Sequence, residues 1–165
     1  MRIAIVAFSL VLVVSTAQAQ EIKRVGPWTI SIMKDRFGGS ANVVALAPNR
    51  TGAFAIRCVR ETLSFGYVLR SLRGEPNKVG DHAFIKVRAD DKPVIDTIGR
   101  FISDSAILIG SAKEIATSLS GAKEVALRVT LPSVSFDDVF KFGSSGGKAL
   151  AEVLRECPIE KIKTQ

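Results

Sequence analysis

The chain has 165 residues, with 23 lysines and arginines against 16 aspartates and glutamates, a net charge of +7, two cysteines and a single histidine. That is one domain's worth of chain, long enough to bury one sizeable core. So few cysteines and histidines exclude a zinc centre built from four such ligands. The cationic balance favours anionic surfaces such as lipid headgroups, cell-wall polymers or nucleic acid without choosing among them.

The first element is MRIAIVAFSLVLVVSTAQAQ, in which Arg2 supplies a positive start, Ile3 to Val14 an apolar run, and Ala17-Gln18-Ala19 a small-x-small cleavage site. The run is shorter than the roughly 20 residues a transmembrane helix needs. Residues 1–19 therefore read as a cleaved signal peptide and residues 20–165 as a single β-rich domain, periplasmic or secreted. No later apolar stretch has spanning length, so no transmembrane segment is expected. Only Arg2 among the charged residues leaves with the signal, so the mature chain stays strongly basic. The intact mass of the exported protein is expected to begin at Gln20; a mass that retains Met1 to Ala19 would contradict this cleavage.

Short runs of alternating or β-branched residues follow, separated by turn residues at intervals of about ten, the pattern of antiparallel strands. Val25 to Met33 alternates around Trp28, Ile30 and Ile32, and Asn42 to Leu46 follows a Gly38-Gly39 turn. Ala53 to Val59 places Phe54, Ile56 and Cys58 on one face, because side chains two apart in a strand point the same way. Thr62 to Leu69 repeats this with Leu63, Phe65 and Tyr67, and the short Arg60-Glu61 junction predicts a hairpin. Beyond the polar loop Arg70 to Asp81 come Ala83 to Ala89, a turn at Asp90-Asp91-Lys92-Pro93, Val94 to Thr97, and two short strands within Ile98 to Gly110.

At Ser111 to Leu119 the period changes. Ser111 is placed to cap, Glu114 completes a capping box, and Ala112, Ile115, Ala116 and Leu119 share a helical face that Gly121 terminates. Val125 to Leu131 and Val134 to Phe142 return to strand character.

The closing stretch GSSGGKALAEVLRECP has the glycines and lysine of a phosphate loop, but a P-loop needs Gly five residues before Gly147 and Ser or Thr after Lys148. Phe142 and Ala149 stand there instead. As a helix start the stretch is coherent: Ser144 or Ser145 caps, and Leu150, Val153, Leu154 and Cys157 recur at helical spacing before Pro158. No nucleotide, metal or other cofactor is expected.

An even cysteine count in an exported chain reads as a disulfide, and Cys58 with Cys157 permits only one intramolecular pairing. Two free buried thiols, or a catalytic thiol served by His82, are the competing readings. Asp90-Asp91 and Asp137-Asp138 resemble paired catalytic carboxylates, yet neighbours in a strand point to opposite faces. Both pairs are therefore read as solvated acids. Arg70, Arg73 and Lys78 cluster around a turn without interleaved aromatics, which argues against specific nucleic-acid binding. Asn49-Arg50-Thr51 fits the glycosylation acceptor pattern, which matters only in a eukaryotic host.

Several of these features occur together: Trp28 followed by Ser31 and Asp35, the IRC of Ile56 to Cys58, the VRADDKP of Val87 to Pro93, and FKFGSSGGKALAEVLRECP at the end. In that order the chain resembles the VasI-like family of small exported bacterial proteins, some of them associated with type VI secretion. The correspondence runs through Arg57-Cys58, Arg88 with Asp90 and Pro93, and Phe142-Gly143 with the helix to Cys157. It is also similar, less closely, to the invasion-associated locus B family.

The expected fold is mainly β, an antiparallel sandwich or half-closed barrel with one short helix and a C-terminal helix. The resemblance implies a non-catalytic binding or accessory protein of the bacterial envelope, its partner an envelope or secretion-system protein, with weak binding to anionic envelope components. A small envelope-polymer hydrolase using His82 is the alternative, and a purely structural envelope protein a third.

Overall fold

The computed structural model describes residues 20–35, 37, 39–70 and 78–158. The signal segment 1–19 with its cleavage site, Gly38 of the expected turn, and residues 71–77 of the polar loop, Arg73 included, lie outside them. Among the described residues no helix is long and apolar enough to cross a membrane.

The described strands are β1 (Gln20–Val25), β2 (Trp28–Met33), β3 (Asn42–Pro48), β4 (Gly52–Val59), β5 (Thr62–Leu69), β6 (His82–Ala89), β7 (Ile95–Phe101), β8 (Ala106–Ile109), β9 (Glu124–Thr130) and β10 (Ser135–Lys141). They form one antiparallel sheet in the order β1-β2-β3-β4-β5-β8-β7-β6-β9-β10. Helix α1 (Ala112–Leu119) lies between β8 and β9, and α2 (Gly143–Glu156) follows β10. The fold is thus mainly antiparallel β with a short helix and a C-terminal helix, as expected.

Alternation decides the faces. Trp28, Ile30, Val43, Ala45, Phe54, Ile56, Phe65 and Tyr67 occupy the inward phase of β2 to β5 and are buried, as are Ala83, Ile85, Val87, Val125, Leu127 and Val129 of β6 and β9. Because this inner face is mostly apolar, it escapes water only if the sheet bends over itself. It does so. Phe140 of β10 lies 5.7 Å from Phe54 of β4 between ring centroids, and Phe136 lies 6.0 Å from Tyr67 of β5. Strands β1 and β10 stay unpaired with each other, so the sheet does not close into a barrel.

One close approach within the inner face depends on a missing side chain. A Cβ on Gly99 would come within 2.5 Å of Ile107 and 3.0 Å of Ile85, so only glycine lets β7 approach its inner neighbours this closely. Both helices pack on the inner side. Helix α2 covers β1 to β4 with Ala149, Leu150 and Val153, while Ile115, Ala116 and Leu119 of α1 close the core near β5 and β6.

Three local expectations are corrected. Val25 to Met33 is not one strand, because Gly26 at φ 58° turns the chain so that Val25 pairs with Trp28 and a separate β1 precedes β2. Ser111 makes no capping box: it sits at φ 54° and its hydroxyl bonds Thr97 Oγ1 at 3.2 Å. Neither Ser144 nor Ser145 caps α2. The N-cap position is Phe142, whose ring is buried 5.6 Å from Trp28, and Ser145 Oγ donates back to the Phe142 carbonyl at 3.2 Å. The apolar ring outcompetes a polar cap because the core needs it there. The Arg60-Glu61 hairpin forms as expected, with both residues in the left-handed region.

Candidate functional site

The cysteines meet. Cys58, on the inward face of β4 in phase with Phe54 and Ile56, bonds Cys157 at the end of α2, with Cα atoms 5.7 Å apart and the two residues 99 positions apart in sequence. Both are buried and no free cysteine accompanies them among the described residues. The disulfide fixes the C-terminus of α2 to the sheet.

A polar edge supplements it: Lys23 Nζ of β1 donates to Glu152 at 2.8 Å, Arg155 pairs with the same carboxylate at 2.7 Å, and Glu156 accepts from the Ala41 amide at 3.2 Å. The Lys23 hydrogen bond, and then the charge of Arg155, hold the Glu152 carboxyl below its ordinary value.

A second junction was not foreseen. Asp138 was expected to be solvated like Asp137, but it is a buried acid in the interior, where its carboxylate accepts from the Tyr67 and Thr51 hydroxyls. Asn49 Oδ1 fixes the Thr51 turn by accepting from the amides of Thr51 at 2.9 Å and Gly52 at 2.8 Å. Burial, and then the Asp138 hydrogen bond, push the Tyr67 phenol above its ordinary value. The node ties edge strand β10 to β5 and to the β3–β4 turn. The Tyr67 hydroxyl is buried against Asp138 with the rings of Phe136 and Phe140 beside it, and Thr51 Oγ1 on the exposed turn also lies 3.1 Å from Asn49 Oδ1, an arrangement that braces the edge strand.

The signal for Asp138 was present in the sequence, since it shares the inward phase of Phe136, Phe140 and Phe142. Asp137, on the opposite phase as expected, is exposed and pairs with Arg128 at 2.5 to 2.6 Å.

The remaining candidates scatter. His82 is exposed at the start of β6, across from Arg100, and among the described residues no hydrogen bond joins it to a carboxylate or hydroxyl. No cluster of three or more metal-ligating side chains forms among the described residues. Asp90, at φ 47°, accepts from the amides of Lys123 and Glu124 at 2.9 to 3.0 Å, which lowers its carboxyl below the usual range and fastens the β6–β7 turn to β9. Lys92 of the same turn donates to the Ser118 and Ser120 carbonyls at the end of α1. In the VRADDKP segment, then, Asp90 and Lys92 are structural, whereas Arg88 points outward and is exposed.

With both helices inside, the outer face of the sheet is open. It carries Arg24, Arg57, Lys86, Arg88, Arg100, Arg128 and Lys141 against Asp96, Glu124 and Asp137, each acid standing opposite a cation in cross-strand register. Arg24, Arg57, Arg88 and Arg100 have no ion-pair partner among the described residues. One open depression of about 480 Å³ lies on this face between Phe84, Lys86, Asp96, Ile98 and Thr130. Another of about 480 Å³ lies at the sheet's end between Met33, Lys34, Asp35, Ser40, Asn42, Arg60 and Glu61. Neither a protein-family model, nor a curated protein, nor a solved structure matches this chain, and the family resemblance carried by its motifs rests on those motifs alone.

Proposed function

We propose that this chain is a non-catalytic, exported binding or accessory protein of the bacterial envelope, acting in the periplasm or after secretion. One observation carries the reading: every inward group, the disulfide, the Asp138 node and both helices serve to brace the sheet, while the outer face is left open with uncompensated arginines. A braced scaffold with a free face suits binding. The buried disulfide fits an oxidising compartment, and the motif resemblance to VasI-like proteins adds an envelope or secretion-system protein as the partner class. The hydrolase alternative needs a base with a nucleophile or second acid in reach, and among the described residues no hydrogen bond joins His82 to such a group.

The test incubates the purified oxidised protein with isolated bacterial envelope. Wild type and His82→Ala are both expected to sediment with the envelope and to release no soluble polymer fragments detectable by mass spectrometry. Fragments released by wild type and abolished in His82→Ala would overturn the proposal in favour of the hydrolase.

A further inference from the structure

Resting on the reading of the outer face as the binding face, we infer that its patch centred on Phe84 and Ile98 seats the protein on an anionic lipid bilayer. These two side chains are cross-strand partners on β6 and β7 and are 73% and 56% exposed, although a neighbouring helix could have covered them had either packed outside. Large apolar side chains adjoining each other in water mark a contact surface when charge surrounds them.

The charge on this face is net positive, seven cations against Asp96, Glu124 and Asp137, with Glu124 in register with Lys141. Asp96 is taken by Lys86 at 2.8 Å and Asp137 by Arg128 at 2.5 Å, which leaves Arg100 on one side of the apolar pair and Arg88 on the other. At a strand rise of about 3.3 Å per residue, Arg100 stands about 7 Å along β7 from Ile98, and Arg88 about 13 Å along β6 from Phe84. Guanidinium groups at that separation match lipid phosphates on either side of an inserted ring.

The chemistry favours a bilayer over other occupants. Phe84 projects from a shallow open depression and so lacks the walls that would grip a peptide's anchor; it suits a medium that deforms around it. A second copy seated face to face would bring arginines against arginines. A soluble polyanion would satisfy Arg88 and Arg100 yet leave Phe84 and Ile98 in water.

The exported protein, disulfide intact, is sedimented with vesicles of phosphatidylglycerol and phosphatidylcholine and with vesicles of phosphatidylcholine alone. Binding is expected only to the anionic vesicles. Arg88→Gln and Arg100→Gln are each expected to weaken it about fivefold, and Phe84→Ser about tenfold. Lys113→Gln, an equal charge change at an exposed position of α1 away from the outer face, should leave it within about twofold. In Phe84→Trp, emission should shift to the blue on anionic vesicles, against the constant background of buried Trp28.

Binding that Phe84→Ser leaves unchanged, or no blue shift, would overturn the inference and indicate adsorption to polyanions in general. Equal losses in Lys113→Gln and Arg100→Gln would overturn it as bulk charge. Absent vesicle binding with envelope sedimentation retained defeats this inference alone, whereas His82-dependent fragment release defeats the proposed function.

Discussion

Cys157→Ala is expected to lower the free energy of unfolding by roughly 2 to 5 kcal/mol, with the sheet still formed. Cys58 and Cys157 stand 99 positions apart and close a loop that runs from the end of β4 to the end of α2, and in the chain-entropy picture a loop of about 100 residues restricts the unfolded ensemble by about 4.7 kcal/mol. The upper part of the range is therefore expected. Helix α2 still keeps Leu150 and Val153 in the core and the Lys23–Glu152 pair at its edge, so it should loosen at its C-terminus rather than leave the sheet. Denaturant titration checks this. The midpoint should fall markedly, and a midpoint unchanged from wild type would show that the bond does not form or does not brace the fold.

Asp138→Ala carries the second large effect. It leaves the buried Tyr67 hydroxyl without its acceptor in the interior, a stranded group that costs about 1 to 3 kcal/mol, whereas the exposed Thr51 hydroxyl keeps Asn49 Oδ1 within reach. Tyr67→Phe removes one donor to the buried carboxylate and should cost about 1.5 to 3 kcal/mol. Because both changes break the same contact, the double variant should be less destabilised than the two losses added together. Additive losses would mean that the groups do not act as one junction.

The pH dependence follows from the raised Tyr67 value. A phenol whose folded value lies above its unfolded value of about 10 contributes stability that is present below pH 10 and lost as pH rises through the folded value. Wild type should accordingly lose more stability than Tyr67→Phe on the alkaline side, as read from melts at rising pH.

Strand identity was legible wherever one face had to be apolar. The inward phase of Phe54, Ile56 and Cys58, and that of Leu63, Phe65 and Tyr67, follows from a period of two, and the Arg60-Glu61 hairpin from its length. The pairing of Cys58 with Cys157 followed from an even cysteine count in a chain whose start reads as an export signal. Order in the sheet was not legible: β8 sits between β5 and β7, and β6 between β7 and β9, because long-range pairing is selected by how the apolar face wraps and leaves no local pattern.

The β1–β2 hairpin was hidden because Gly26-Pro27 interrupts an otherwise continuous alternation by only two residues. Opposite faces for strand neighbours send one of Asp137 and Asp138 inward, and the phase shared with Phe136 and Phe140 marks Asp138 as that one, although both read as solvated acids. Two polar caps failed for one reason: at Ser111 and Phe142 the backbone was positioned by packing, and packing outweighed a cap contributing about 1 kcal/mol. The open outer face was invisible in the sequence, since it depends on both helices choosing the same side.

The most direct test of a braced, exported scaffold is the thiol state of the protein taken from its own compartment without reductant. Denatured and titrated, it is expected to show no free thiol and, after proteolysis, one linked pair of peptides carrying Cys58 and Cys157. Two titratable thiols would contradict the clamp, and with it the oxidising compartment and the scaffold built on both.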